Sequence, residues 1–323
     1  MNTYERTPQR PLPSGFTWQA TARETLGGQR LDGAVAIVTG GYAGVGLETT
    51  RALAEAGATV VVPARTPDKA RAALGSVPRV ELEAMDLMAP ASIDAFAARF
   101  LASRRPLTFL VNNAGIMAAP LLRDARGFDS QFATNHLGHF QLTARLWPAI
   151  VRGGALERGA RVIALTSRGH MRSAVDFDDP RFDRRPYDKW MAYGQSKTAN
   201  ALFALALDAR GAARGVRAFS VHPGGILTDL MRSMSEEERR AVIERVKTNT
   251  NLKTPEQGAA TSVWCATSRA LDGEGGVYCE DVDIAEPITV EGPRGVLPWA
   301  RDPALAERLW QRSEEWAGVK LEA

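Results

Sequence analysis

The sequence contains few of the residues that stabilise small secreted proteins or hold metal ions. It has 2 cysteines and 4 histidines among 323 residues. Cys265 and Cys279 do not form a CxxC pair, and no histidine stands beside either of them. These spacings argue against a disulfide framework and against a zinc site. We therefore expect no metal ion in this protein.

Long hydrophobic runs and a large charge of one sign are also missing. No stretch approaches the roughly 18 uncharged apolar residues that a membrane-spanning helix needs. Residues 1–13 are polar and rich in proline, unlike the apolar core of a secretory signal. The net charge of +3 is small for this length, so nothing indicates a nucleic-acid partner. The sequence predicts a cytoplasmic protein without a membrane span.

The sequence does contain a regular alternation of short β-branched runs and alanine-rich amphipathic stretches. The apolar runs predict strands buried on both faces at Ala34 to Val38, Thr59 to Val62, Val80 to Ala84, Thr108 to Val111, Arg161 to Thr166 and Arg217 to Val221. Helices are predicted between them at Gly46 to Ala56, Asp68 to Leu74, Ala91 to Ser103, Gln131 to Val151 and Tyr193 to Gly211. This alternation predicts a single α/β domain with a doubly wound parallel sheet of the Rossmann type.

Several segments lie outside this alternation. Residues 168–190 form a long polar connection, and such loops are usually functional or disordered. Within residues 226–255, a capping-box-like start at Ser235 precedes a helical pattern, which predicts a small lid near the ligand end of the sheet. We expect residues 1–30 to be an N-terminal extension, 31–290 the domain, and 291–323 a C-terminal extension with a helix on the edge of the domain.

A glycine-rich turn, Thr39-Gly-Gly-Tyr-Ala-Gly-Val-Gly46, follows the first predicted strand and leads into a helix. Glycines let the backbone approach a pyrophosphate, and the N-terminus of the helix supplies N–H groups. The spacing differs from the G-x-G-x-x-G fingerprint of dinucleotide-binding proteins. A tight loop without a ligand is the alternative.

The residues after the second predicted strand bear on the choice of nucleotide. An acidic residue about 20 positions after the glycines binds the ribose of NAD. Here Ala64 stands near that position and Arg65 follows it. A guanidinium can bind the 2′-phosphate of NADP, so the sequence predicts NADP. The alternative is that Arg65 is a solvated surface residue.

Tyr193 and Lys197 are four residues apart in a predicted helix, so their side chains share one face. A tyrosine with a pKa of about 10 needs help to act as an acid or base at neutral pH. A neighbouring ammonium lowers the pKa of a phenol. The pair is therefore a candidate acid/base group, although the same spacing also occurs on ordinary helix surfaces.

Taken in order, these motifs resemble the short-chain dehydrogenase/reductase family over roughly Leu31 to Glu286. The matching pieces are Thr39 to Gly46, Asp86-Leu87, Asn112-Asn-Ala-Gly115, Asn135, Ser167, Tyr193 with Lys197, and Pro223-Gly224 with Thr228. Thr166 replaces the first serine of the family's Ser-Ser pair. The stretches Thr134 to Phe140 and Tyr187 to Lys197 look most like the branch of retinol dehydrogenases, WW-domain oxidoreductase and protochlorophyllide reductase, although no WW domain precedes them.

The resemblance implies a set of cofactor-binding residues. They are Gly40, Tyr42, Ala43, Gly44, Val45, Gly46, Arg65, Asp86, Leu87, Asn113, Ala114, Gly115, Tyr193, Lys197, Pro223, Gly224 and Thr228. Asp86 would accept a hydrogen bond from the adenine amino group, and its alternative role is to cap the next helix. The Asn113 to Gly115 turn would lie under the adenosine ribose, or be a turn without a ligand.

The resemblance also implies a catalytic set of Asn135, Ser167, Tyr193 and Lys197. Tyr193 would transfer the proton, Lys197 would tune it and bind the nicotinamide ribose, and Asn135 would hold a water that links Lys197 to solvent. Ser167 would polarise the substrate oxygen, or only start a loop. His136, His139 and His170 are weaker acid/base candidates, and packing is the better interpretation of the first two.

These assignments predict hydride transfer between NADP(H) and a small hydrophobic alcohol or ketone. Met231 and Met234 would line an apolar pocket, or belong to the core. Reduction of an activated C=C bond and a non-catalytic NADP(H) sensor or scaffold are the alternatives. The family's homodimers and homotetramers associate through the helices that contain Asn135 and Tyr193, and the long loop and the C-terminal extension would oppose this association.

Overall fold

A central sheet of eight strands organises residues 4–249 and 252–321, which this computed structural model describes. The strands of the chain are β1 (Val35–Val38), β2 (Thr59–Ala64), β3 (Val80–Ala84), β4 (Phe109–Asn112), β5 (Ala160–Leu165), β6 (Val216–His222), β7 (Gly225–Ile226), β8 (Leu252–Lys253), β9 (Val277–Glu280) and β10 (Asp283–Ile284). The order across the sheet is β10-β9-β6-β5-β4-β1-β2-β3. Only β9 and β10 pair antiparallel within this sheet. This is the predicted Rossmann-type α/β fold.

Helices cover both faces of the sheet. They are α1 (Ala22–Leu26), α2 (Gly44–Glu55), α3 (Pro67–Leu74), α4 (Pro90–Ala102), α5 (Ser130–Phe132), α6 (Gly138–Gly154), α7 (Lys189–Gly211), α8 (Glu236–Asn249), α9 (Pro255–Thr267) and α10 (Pro303–Ala317). Successive strand residues point to opposite faces. Ala36 and Val38 therefore pack with α1, α2 and α9, whereas Ile37 packs with α4, α6 and α7.

The six predicted strands and five predicted helices are present, with two informative differences in the helices. α7 begins four residues before Tyr193 because the Asp188 carboxylate accepts hydrogen bonds from the N–H groups of Trp190 and Met191, both at 2.8 Å. The predicted helix from Gln131 to Val151 is interrupted by a π-helical turn at Ala133–Leu137, between α5 and α6. Single π turns occur often at functional sites, and this one contains Asn135.

The C-terminal helix α10 packs across α7 and α6, on one face of the sheet. Trp310 lies flat against Phe203, with 6.1 Å between ring centroids, and contacts the edge of Phe140 at 5.0 Å. The amphipathic helix buries Ala306, Leu309 and Trp310 in the same core as α6 and α7. The sequence analysis expected a helix in this extension but did not identify this aromatic surface as the partner of α10.

The N-terminal segment runs beside the last two strands of the sheet. The Gln9 side chain donates to the carbonyl groups of Tyr278 and Ala285, at 2.8 and 2.7 Å. The Leu12 N–H donates to Asp283, and the Tyr4 hydroxyl donates to Asp208. Residues 4–12 thus connect the beginning of the chain to β9, β10 and α7.

The lid segment, residues 226–255, contains α8 and is closed by pairing of β7 with β8. Met231 and Met234 are buried against Met117, Ala118 and Trp190. Residues 250 and 251 of this segment lie outside the described residues, as do residues 1–3 and 322–323 of the two extensions. Within residues 4–249 and 252–321, every helix is too short or too polar to cross a lipid bilayer.

Candidate active site

A cleft of about 660 Å³ opens at the carboxyl ends of the parallel strands. The loops after β1, β4, β5 and β6 form its walls, together with the first turns of α7 and the lid segment. Ligands of open α/β sheets bind at this edge, and cavities of roughly 300–1,000 Å³ are typical of small-molecule sites. The topology alone thus brings loops that are far apart in the sequence to one site.

The glycine-rich turn forms one end of the cleft. Gly40 and Gly44 have φ angles of +64° and +51°, which favour glycine. A Cβ atom on Gly46 would lie 2.4 Å from both the Asn113 side-chain nitrogen and the Gly40 carbonyl oxygen. Ala43 precedes α2 without capping it through a side chain. The first N–H groups of α2 therefore remain available for a phosphate.

Thr39 connects this turn to the end of β4, a role that the sequence analysis did not assign. Its hydroxyl accepts hydrogen bonds from the N–H groups of Asn113 and Ala114, both at 2.9 Å. The Asn113 side chain donates in return to the Thr39 carbonyl at 2.8 Å. The only signal in the sequence was the position of Thr39 directly before the glycines.

Arg65 and Asp86 lie on the cleft wall at the ends of β2 and β3. Arg65 is exposed and, among the described residues, has neither a hydrogen-bond nor an ion-pair partner. Asp86 does not cap α4, since Ala89 is the N-cap residue. The Asp86 carboxylate instead accepts a hydrogen bond from the Met88 N–H at 2.9 Å, which fixes the turn beside Leu87.

Tyr193 and Lys197 face the cleft from one side of α7, and both are buried. The Lys197 amine lies 5.6 Å from the centre of the Tyr193 ring and donates to the Leu165 carbonyl at 3.0 Å. Burial raises the pKa of Tyr193 to about 12, opposed by a hydrogen bond with Ser167. Burial lowers the pKa of Lys197 to about 8. The hydrogen bond with Ser167 thus opposes the effect of burial on the Tyr193 pKa.

Ser167 lies half-buried at the end of β5, beside Tyr193. Its hydroxyl oxygen accepts a hydrogen bond from the Gly169 N–H at 3.0 Å. A hydroxyl that accepts one hydrogen bond still has its own proton to donate. A Cβ atom on Gly169 would lie 2.7 Å from the Tyr193 ring, so this turn holds the serine and the tyrosine close together.

Asn135 is fully buried in the π-helical turn, behind the cleft wall. Its amide nitrogen donates to the Ile116 carbonyl and the Ser196 hydroxyl, both at 3.0 Å. Its amide oxygen accepts from the Ile116 N–H at 2.9 Å. The side chain thus links the loop after β4 to α7, one residue from Lys197.

The loop after β6 approaches the glycine-rich turn, since Thr228 packs against Gly44. Gly224 has a φ angle of +98°, and a Cβ atom there would meet the Lys253 side chain at 2.7 Å. The buried Lys253 amine pairs with Asp281 at 2.6 Å. Lys253 supports this loop from the lid segment, and nothing in the sequence indicated that contact.

All predicted cofactor-binding residues line this one cleft, and of the predicted catalytic set only Asn135 lies behind its wall. The cleft also has an apolar side that the sequence analysis assigned only through Met231 and Met234; Met231 lines the cleft, whereas Met234 is buried in the cluster beside it. Residues of the loop after β4, α7 and the lid segment form it: Met117, Trp190, Leu230, Met231 and Val242.

Comparisons with known proteins identify the family of this chain. A family profile described as short chain dehydrogenase matches residues 34–177. A Streptomyces antibioticus protein named "Probable oxidoreductase" is 46% identical over 297 residues, covering 87% of this chain and 96% of that protein. Polyprenol dehydrogenase of Mus musculus is 39% identical over 295 residues, covering 89% and 84%. Retinol dehydrogenase 12 of the same species is 35% identical over 299 residues, covering 91% and 89%. The chain belongs to the short-chain dehydrogenase/reductase family.

A short-chain dehydrogenase/reductase is an oxidoreductase that uses a nicotinamide dinucleotide, NAD or NADP. The cleft fits such a cofactor on physical grounds. Gly46 lets the turn pack closely against Asn113, α2 offers uncapped N–H groups to a phosphate, and Tyr193 and Lys197 line the same cleft. The match to the family profile ends at residue 177. The segment that contains Tyr193 is therefore assigned to the family by the relatives, whose matches cover 87–91% of this chain.

Histidine is the usual acid/base residue at neutral pH, but the buried histidines of this chain are poorly suited to that role. Burial lowers the pKa of His136 to about 3 and the pKa values of His139 and His170 to about 4. His136 and His139 pack within the π-helical turn and α6 and bond to Ser313 and Thr39. They are neutral structural residues, as the sequence analysis favoured.

Proposed function

We propose that this short-chain dehydrogenase/reductase transfers hydride between NADP(H) and a hydrophobic alcohol or ketone. One observation carries the proposal. Tyr193, Lys197 and Ser167 meet on one wall of the cleft, between the glycine-rich turn and the apolar side formed by Met117, Trp190 and the lid segment. A cofactor held at one end and an apolar substrate at the other would meet at these residues.

In the reductive direction the cofactor would supply the hydride, and side chains of this chain would donate a hydrogen bond and a proton to the substrate oxygen. The Ser167 hydroxyl accepts from Gly169 and donates its proton toward that oxygen. With a pKa of about 12, Tyr193 holds its proton at neutral pH and donates it as the alcohol forms. Both side chains thus act on the same atom.

Lys197 and Asn135 complete the catalytic group. The Lys197 amine, whose pKa is lowered to about 8 by burial, binds the nicotinamide ribose and exchanges protons with Tyr193 near neutral pH. Asn135 holds the Ile116 backbone through two hydrogen bonds. We propose that this geometry keeps a water-filled route open from Lys197 to solvent.

Two basic side chains, Arg65 directly after β2 and Lys69 on α3, support NADP over NAD. Arg65 and Lys69 line the same end of the cleft, and Arg65 has no partner among the described residues. A guanidinium next to an ammonium suits the 2′-phosphate that NADP carries and NAD lacks. An acidic residue for the NAD ribose is missing at Ala64.

The apolar side of the cleft supports a lipophilic substrate. Methionines are flexible and fit irregular apolar molecules, and Met117, Met231 and Trp190 dominate this wall. The relatives described above include enzymes named for polyprenol and retinol, which are isoprenoid alcohols. We propose that the substrate is an apolar alcohol or carbonyl compound of this kind.

The test is a panel of carbonyl compounds, namely retinal, farnesal, a steroid ketone, an aromatic ketone and a quinone, assayed for NADPH oxidation with NADH in parallel. The best substrate is then used with Tyr193→Phe. We expect turnover to fall by about 10²- to 10⁴-fold, with the Kd for NADPH within about twofold by fluorescence. Tyr187→Phe is the matched control, since the partners of its hydroxyl among the described residues are Ala119 and Gln131, and it should keep its turnover.

Three results would count against the proposal. Unchanged turnover in Tyr193→Phe would remove the catalytic assignment. Faster reaction with NADH than with NADPH would overturn the role given to Arg65. A product reduced at C=C, with the carbonyl intact, would replace the proposed reaction with the alternative one.

A further inference from the structure

We propose that His170 is a positioning residue of the active site, which holds Ser167 in place and joins it to α7 and to residues 296–300. The proposal rests on the role given to Ser167 above. His170 follows Ser167 by three residues and is completely buried. It does not line the cleft, so it acts on the reaction only through other residues.

The first contact is a double hydrogen bond to the Ser167 backbone. The His170 N–H and its ring Nδ1 both donate to the Ser167 carbonyl, at 3.0 and 2.8 Å. The Ser167 hydroxyl accepts from Gly169, so the carbonyl oxygen and the hydroxyl oxygen of the serine are both held by the same turn. A rotation of this turn would move the hydroxyl away from Tyr193.

The other ring nitrogen bonds to a segment more than a hundred residues away. The Leu297 N–H donates to His170 Nε2 at 3.3 Å. A carbonyl only accepts and an N–H only donates, so the ring must be neutral with its hydrogen on Nδ1. Both ring nitrogens therefore have a hydrogen-bond partner, and these two bonds fix the orientation of the ring.

The His170 carbonyl extends the connection to two further elements. It accepts from the Thr198 hydroxyl at 3.2 Å and from the Trp299 indole N–H at 3.0 Å. Thr198 is the neighbour of Lys197 on α7. The Tyr278 ring of β9 packs on His170 with 5.0 Å between centroids. One buried residue thus connects the strand end that carries Ser167 to the helix that carries Tyr193 and Lys197.

Two substitutions separate the functions of the ring nitrogens. The amide of asparagine, like Nδ1, is bonded to Cγ, so His170→Asn can still donate to the Ser167 carbonyl. The amide of glutamine lies one atom further out, near Nε2, so His170→Gln can accept from Leu297 but loses the bond to Ser167. We expect His170→Asn to keep most of its turnover and His170→Gln to lose roughly 10- to 100-fold. The KM for NADPH should change by less than about twofold in both, since neither touches the cofactor end.

Thr198→Val is the matched control, because it removes the hydroxyl that donates to the carbonyl groups of His170 and Ser173, at 3.2 and 2.7 Å, but leaves both contacts of His170 with Ser167. It should lower the melting temperature while turnover stays near that of the wild type. A crystal structure of His170→Gln should show the Ser167 carbonyl displaced. Should His170→Gln fail to fold, His170→Asn decides: turnover reduced tenfold or more in this variant contradicts the proposal.

A double-mutant cycle with Ser167→Ala tests whether His170 acts through Ser167. In the Ser167→Ala background, His170→Gln should cause no further loss of turnover. His170 would only stabilise the fold if His170→Gln lowered turnover by the same factor in the Ser167→Ala background as in the wild type. Equal losses of turnover in His170→Asn and His170→Gln would mean the same. Unchanged turnover in Ser167→Ala alone would instead overturn the proposed function, and the positioning role with it.

Discussion

Glu280, at the end of β9, shows how burial controls a single ionisable residue in this protein. Its side chain is almost fully buried and accepts a hydrogen bond from the Gly295 N–H at 2.6 Å. Burial raises the pKa of Glu280 to about 7. Because the pKa is raised in the folded state, the stabilising form is the protonated one. The contribution of Glu280 to the free energy of unfolding is complete below pH 4.5 and is lost as the pH rises through 7.

Glu280→Gln should remove this pH dependence, since a glutamine can accept from Gly295 without a charge. We expect the free energy of unfolding of the variant to match that of the wild type at pH 4 and to exceed it at pH 8 by on the order of 3 kcal/mol, at about 1.4 kcal/mol for each pKa unit. Urea unfolding at the two pH values measures the difference. Equal stability of the two proteins at pH 8 would show that ionisation of Glu280 does not destabilise the folded protein.

The sequence predicted the site residues whose partners lie a few positions away, but not those whose partners lie in distant segments of the chain. Tyr193 and Lys197 were found together because the helix repeat places them on one face. His170 and Lys253 contact Leu297 and Asp281, which lie in segments far along the chain. A single sequence contains no signal for such pairs, so the supports of the site could not be inferred.

At the scale of elements, the junction between α6 and the loop after β3 depends on Gly138. A Cβ atom there would lie 2.5 Å from the Leu87 carbonyl oxygen. Leu87 lines the cleft, so the close approach of α6 also fixes a wall of the cofactor end.

Gly138→Ala should therefore affect both stability and cofactor binding. We expect a loss of about 1–3 kcal/mol from overpacking and a raised Kd for NADPH. Gly75→Ala is the control, because Gly75 ends α3 in a right-handed helical conformation at an exposed position. An alanine there should be neutral or slightly stabilising. Thermal unfolding and a fluorescence titration measure the two effects, and equal behaviour of the variants would contradict this role for Gly138.

The order and type of the main elements were predictable because their hydrophobic periods are clear, as in β1 and α4. The π-helical turn was missed because Ala133–Leu137 keeps the apolar pattern of an ordinary helix. β10 was missed because its two residues are too few to show a period. The lid helix was found because Ser235 and Glu238 bond reciprocally at its start.

At the scale of the whole molecule, α10 bears on how copies of this chain associate. The resemblance to the family predicts an association surface on the helices that contain Asn135 and Tyr193, and here α10 covers the continuation of these helices. Phe140 and Phe203 are buried under Trp310. A second copy could reach these aromatic rings only after displacing a helix of this chain.

Leu309→Glu should release α10 by placing a carboxylate in the core beneath it. Leu309 is 1% exposed, and burying an unpaired charge is costly. We expect higher binding of a hydrophobic dye and a larger mass by light scattering than for the wild type. Ala304→Glu, at an exposed position of the same helix, should change neither. Unaltered mass and dye binding in Leu309→Glu would show that α10 does not shield an association surface.

The docking of residues 4–12 against β9, β10 and α7 has a consequence for how the protein is made. Gln9 and Leu12 find their partners at Tyr278, Asp283 and Ala285. During translation, these partners emerge from the ribosome only after most of the chain has been synthesised. Residues 4–12 must therefore remain undocked until these partners have been made, and this segment is fixed among the last parts of the fold.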